Sequence, residues 1–129
     1  MDNVSQPHHS KNKAFHHRLR FALAGIQHAL SAERSFQIHI VATAAIIVAL
    51  LILRPPAVWW ALVALSVGAV LAAELFNTAL EILADHLHPE QHPQIKRVKD
   101  CAAAAVLVTS LAALGVAAAL AWYCAGILI

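Results

Sequence analysis

The sequence predicts an all-α membrane protein: an N-terminal amphipathic helix on the membrane surface, followed by three transmembrane helices. Three observations predict it. Of the 129 residues, 60% are hydrophobic and 12% charged, about half the charged fraction of an ordinary soluble domain. One small domain cannot bury so much apolar surface in a core of its own, and a mean hydropathy of +0.68 points to lipid as the solvent. The apolar residues also gather into three runs, each near the length of about 20 residues that a helix needs to cross the hydrocarbon. Finally, Lys and Arg lie asymmetrically around those runs.

Residues 1–13 are polar and predict a disordered tail; residues 14–129 form one domain. From 14 to 30 the apolar residues Phe15, Leu19, Ala22, Leu23, Ile26 and Leu30 recur every three or four positions, opposite His17, Arg18, Arg20 and Gln27. Such a helix suits the interface, with arginine near anionic headgroups. The first span, 36–53, stops at Arg54-Pro55-Pro56 because proline has no N–H to continue a helix. The second, 57–87, begins with Trp59 and Trp60 at interface depth. It exceeds the spanning length, so its last turns should project into water. A loop over 88–98 leads to the third span, 101–129, which carries no charge and has Trp122 and Tyr123 at its far end.

Lys11, Lys13, Arg18, Arg20, Arg34, Lys96, Arg97 and Lys99 fall on one side of this arrangement and Arg54 on the other. The positive-inside rule then makes the N-terminus cytoplasmic and the C-terminus external. No signal peptide is expected, since the first long apolar run begins only near Phe36, after a polar and basic lead. Cys101 and Cys124 lie roughly 35 Å apart along one helix, too far for a disulfide, and read as apolar fillers.

The most informative residues are Glu74, Asn77, Glu81 and Asp85. At about 100° per residue their spacing places all four within an arc of roughly 80°, a polar stripe on an otherwise apolar helix. A carboxylate at mid-bilayer costs roughly 2.5–3.5 kcal/mol on insertion scales, so such a residue marks a binding or transfer site. Glu33 and Arg34 precede the first span, and Lys99 and Asp100 precede the third, at similar depth. Carboxylate oxygens are hard ligands suited to Mg²⁺, which takes one or two protein carboxylates together with substrate phosphates. A nearby lysine suits phosphate as a point charge. Acid, metal and lysine together are the parts that phosphoryl transfer uses.

Blander readings compete residue by residue. Lys99-Asp100 alone reads as an interface anchor, with Asp100 as a helix N-cap. Glu33-Arg34 alone reads as a solvated headgroup pair, and His39, one turn into the first span, as a satisfied core histidine. The remaining histidines lack ligand spacing apart from His88 and His92, which straddle Pro89. The four glycines are scattered, so no glycine-rich phosphate loop is present. Two other classes of function use the same stripe. A cation- or proton-conducting assembly would need neither Lys99 nor Glu33. A structural subunit would use the acids as helix–helix glue.

The segments "AELFNTALEILADHL" and "KRVKDCAAAAVL" resemble the prokaryotic diacylglycerol kinases, small integral-membrane lipid kinases with the hallmark E-x-x-N-[ST]-[SA]-x-E-x-x-x-D. Glu74, Asn77, Thr78, Ala79, Glu81 and Asp85 fit it without a gap, and Lys99-Asp100 fits the second element. "FALAGIQHALSAERSFQIH" is similar too, with Gly25, Glu33, Arg34 and Phe36 in register, so the resemblance covers about residues 15–128.

The resemblance implies a homotrimer in the bacterial inner (plasma) membrane, with composite sites at its cytoplasmic surface. There the γ-phosphoryl group of Mg²⁺-ATP passes to a lipid hydroxyl. It implies Glu74 as general base, Asn77 as a positioning group and Glu33 and Glu81 as metal ligands. Asp85, Lys99 and Asp100 would line the nucleotide site. The expected partners are ATP, the membrane lipid and further copies of the chain, with no nucleic acid. Diacylglycerol, giving phosphatidate, is the first acceptor to consider. Undecaprenol is the alternative, because Gln37, Ile38 and His39 stand where diacylglycerol kinases of Gram-negative bacteria tend to carry a glutamate, and "ERSFQIH" looks more like the undecaprenol kinase branch.

Overall fold

The computed structural model describes residues 15–88, 90 and 92–128, and among them four helices: α1 (Phe15–Ala32), α2 (Arg34–Leu53), α3 (Ala57–Leu87) and α4 (Pro93–Leu128). The expected disordered tail lies outside the described residues.

Helix α1 gives way to α2 through one extended residue, Glu33 (φ −107°, ψ 113°). The corner is held from both sides. The Glu33 N–H donates to the Ala29 carbonyl at 2.9 Å, and the Gln37 side chain donates to the Leu30 carbonyl at 2.9 Å, satisfying acceptors that a helix end leaves open. Helix α2 ends where Pro55 forbids continuation. Arg54 takes a left-handed conformation (φ 47°, ψ 50°) and donates its N–H to the Leu50 carbonyl at 2.9 Å, closing the last turn.

Helices α2, α3 and α4 are each long and apolar enough to cross a membrane. Their large side chains point mostly outward: Val41, Ile52, Leu65, Val108 and Leu114 are all more than half exposed. In water such surfaces would associate; in hydrocarbon they are solvated. A small core forms where the C-terminal ends of α2 and α4 meet the start of α3. Leu50, Val63 and Leu120 are buried there, with Trp59 and Cys124 packed against them. The Trp59 and Tyr123 rings lie 5.4 Å apart, within the range of favourable aromatic pairs. Cys101 and Cys124 are both free thiols.

One boundary differs from the sequence reading. The third long helix begins at Pro93, two turns before the expected Cys101, so most of the supposed loop over 88–98 is helical. Proline is favoured at the first helical position, where the missing N–H has no partner to lose. The preceding His92 acts as the cap. Its Nδ1 accepts from the Gln94 N–H at 3.2 Å, and its carbonyl accepts from the Lys96 N–H at 3.0 Å. Asp100 is therefore an interior residue of α4, and its reading as an N-cap is corrected.

Candidate active site

The polar stripe of α3 divides into a buried and an exposed part. Glu74 is 2% exposed, which ranks it with Phe36 and Leu50 among the most enclosed side chains. Burying a carboxylate is costly unless it is hydrogen-bonded or paired, and α2 supplies one hydrogen bond and one imidazole at ion-pair distance. Ser35 Oγ donates to Glu74 Oε2 at 3.1 Å, and His39 Nε2 lies 3.2 Å from Oε1. Ser35 and His39 are one helical turn apart, so the pair meets α3 from a single face of α2.

One turn further along α3, Asn77 donates through Nδ2 to Glu81 Oε1 at 2.9 Å. Its own Oδ1 and the adjacent Thr78 Oγ1 are buried with no hydrogen-bond partner among the described residues. A buried polar atom left unpaired costs about 1–3 kcal/mol. Both belong to residues about one turn from Glu74 along α3. Oxygen donors of this kind, like the Glu81 carboxylate, have the chemistry that hard divalent cations take. Among the described residues no three His, Cys, Asp or Glu side chains form a cage of their own. Glu33 stands at the α1–α2 corner, half-buried, with no capping hydrogen bond from its side chain.

The far end of the stripe is wet. Asp85, with its side chain 64% exposed, pairs with Lys99 across α3 and α4. Lys99 stands in the polar opening turns of α4, before the uncharged run that starts at Cys101. Asp100 turns elsewhere and accepts from Lys96 at 2.7 Å, one turn back on its own helix. A cavity of about 560 Å³ is lined by Asp85, His88, Glu90, Lys96 and Lys99. A second, apolar cavity of about 590 Å³ runs between the three long helices, walled by Ile38, Ile46, Val67, Leu71 and Leu114, with His39 also on its lining.

The structure thus brings Glu74 to Ser35 and His39 of α2, Asn77 to Glu81 along α3, and Asp85 to Lys99. It separates Asp100 from Lys99. Sequence reasoning missed Ser35 altogether; it read His39 as a satisfied histidine, which the contact with Glu74 bears out, without naming that partner. The available signal was their spacing: both fall on the α2 face that a buried acid on a neighbouring helix would need.

These features define a membrane protein whose spanning helices bring a buried carboxylate and a group of polar and acidic side chains to one end, beside an apolar groove. The profile of the prokaryotic diacylglycerol kinases matches residues 20–121, and the chain belongs to that family. A diacylglycerol kinase of Synechocystis is 38% identical over 95 residues, covering 73% of this chain and 54% of that protein. The undecaprenol kinase of Bacillus subtilis is 32% identical over 104 residues, covering 81% of this chain and 85% of that protein. The chain therefore matches about half the length of the first relative and most of the second.

Proposed function

We propose that this protein phosphorylates the hydroxyl of a membrane lipid, with Mg²⁺-ATP as donor. The observation that carries the reading is Glu74: a carboxylate enclosed between two spanning helices, beside unpaired acceptors, close to a groove that suits a hydrocarbon chain. In the proposed reaction the Glu74 carboxylate takes the proton of the lipid hydroxyl as its oxygen bonds to the γ-phosphorus. The bond from that phosphorus to the β–γ bridging oxygen breaks, and ADP leaves. Asn77, which donates to Glu81, would help position the lipid hydroxyl, and Glu81 with Glu33 would hold the cation, which would supply charge to offset the phosphates. Lys99 anchors phosphate, and Asp85 and Asp100 line the nucleotide end. The charged end then faces the cytoplasm of a bacterial inner membrane, with the C-terminus outside and α1 lying along the surface by its apolar face. A homotrimer would complete the site, since three slender helices enclose neither ATP nor lipid.

Diacylglycerol, yielding phosphatidate, is the first acceptor proposed. A second reading, undecaprenol, is favoured by the segment Glu33 to His39 and by the larger share of the Bacillus relative that the chain covers. The test is transfer from γ-labelled ATP by purified protein in detergent, with both lipids offered in parallel and Glu74→Gln as control. Label in one lipid, absent with the variant, supports the kinase and chooses the acceptor. Label in neither, from assembled protein with Mg²⁺ present, would move the assignment first to another lipid acceptor and then to the conducting or structural readings of the stripe.

A further inference from the structure

The most telling group outside the expected machinery is the pair on α2 that meets Glu74. A carboxylate oxygen has two lone pairs. Ser35 Oγ occupies one on Oε2 at 3.1 Å, and His39 Nε2 lies within reach of one on Oε1 at 3.2 Å. One lone pair on each oxygen remains for a substrate. The terminal torsion of a glutamate is soft and broad, so an unrestrained Glu74 would present those lone pairs over a wide range of directions. The Ser35 hydrogen bond at one oxygen and the His39 imidazole set against the other, both from another helix, remove that freedom. Among the described residues no Lys or Arg forms a salt bridge with Glu74; Lys99 is paired with Asp85 and Lys96 with Asp100.

We infer that His39 and Ser35 are positioning residues that fix the Glu74 carboxylate in the orientation proton abstraction needs, His39 contributing more than Ser35. The inference rests on the proposed role of Glu74. Hydrogen bonds to a charged acceptor are about twice as strong as neutral ones. Orientation of a reacting group acts on turnover when the bound geometry must lie close to the reactive one. His39 also stands on the lining of the apolar groove, so it sees both the acceptor's path and the base. A purely structural histidine, tying α2 to α3, would alter the amount of folded protein and leave the turnover of whatever folds unchanged.

Four variants of the full chain separate these possibilities: His39→Leu, His39→Gln, Ser35→Ala and Glu74→Gln, assayed beside the parent for kcat and for the KM of ATP and of the accepted lipid. Rates are expressed per molecule of protein assembled as in the parent. Glutamine places an amide N–H where the imidazole Nε2 stood. The expected result is a kcat loss of about ten- to hundredfold for His39→Leu, the scale of one charge-assisted hydrogen bond. KM for ATP stays within about twofold, His39→Gln recovers most of the rate, and Ser35→Ala loses about two- to fivefold. A normal kcat for His39→Leu in assembled protein, or equal losses for His39→Leu and His39→Gln, overturns the positioning role while the kinase stands. A parent that transfers no phosphate, or a fully active Glu74→Gln, overturns the kinase reading and this inference with it.

Discussion

The two ends of the α3 stripe carry the same functional group in opposite surroundings. Glu74 is enclosed, with both oxygens engaged from α2. Asp85, three turns along the same face, stands largely in water with Lys99 beside it. At the buried end a charge can be kept only by specific partners, and every interaction is strong because little water screens it. At the exposed end water does most of the stabilising, and a salt bridge adds about 0–1 kcal/mol. The buried end is thus suited to chemistry that depends on one orientation and one protonation state. The exposed end is suited to capturing a charged, mobile ligand.

That contrast orders the expected effects of substitution. The largest falls on Glu74→Gln, which keeps the shape and removes the base. General-base catalysis contributes about 10²–10⁴-fold, so kcat should fall by that range while nucleotide affinity stays within about threefold. The variant should unfold in detergent at or somewhat below the parent's temperature, because the amide keeps one acceptor oxygen for α2 but sets an N–H against the other partner. A turnover assay with equilibrium nucleotide binding and a melting curve checks all three. Next comes Glu81→Gln, at the junction of the two ends. It can still accept from Asn77 but loses its charge, so the KM for Mg²⁺-ATP should rise about tenfold or more, with a smaller loss in kcat. A loss confined to kcat would place Glu81 with Glu74 and erase the division.

How much of this was legible beforehand follows from where each constraint resides. The three long apolar helices and the stop at Arg54-Pro55-Pro56 were legible because they are local: hydropathy along one helix, and a ring without an N–H. The stripe was legible because helical periodicity puts offsets of three and four on one face. What stayed hidden was relational. Nothing in the α2 sequence says that Ser35 and His39 meet Glu74, some 35 to 39 positions away. The start of α4 was misplaced because basic residues and prolines read as loop, whereas Pro93 with His92 as its cap opens a helix. Asp100 followed that error, since its role as an N-cap depended on where the helix began.

At the exposed end the effects should shrink. Lys99→Met removes the partner of Asp85 and the proposed phosphate anchor. Its melting temperature should stay close to the parent's, as for exposed pairs generally, while the KM for ATP rises about three- to tenfold. Added salt should weaken nucleotide binding more in the parent than in the variant, because screening acts on a charge that only the parent has. An unchanged KM would leave Lys99 as a mere interface anchor and remove the capture role from this end.

The smallest effects separate Asp100 from its own neighbour. Lys96 and Asp100 form an exposed pair one turn apart on α4, with side chains 76% and 60% exposed. Pairs at this spacing contribute about 0.3–0.5 kcal/mol, and less when the acid is C-terminal to the base, as here. If the pair does nothing beyond supporting the helix, Lys96→Ala and Asp100→Ala must look alike: melting temperature and KM both within error of the parent. If Asp100 instead lines the nucleotide end of an assembled site, the two part company. Asp100→Ala then changes the KM for ATP by about two- to threefold while Lys96→Ala leaves it alone, with stability unchanged in both. Because the ion pair is lost equally in the two variants, any difference between them belongs to what the Asp100 carboxylate does outside it.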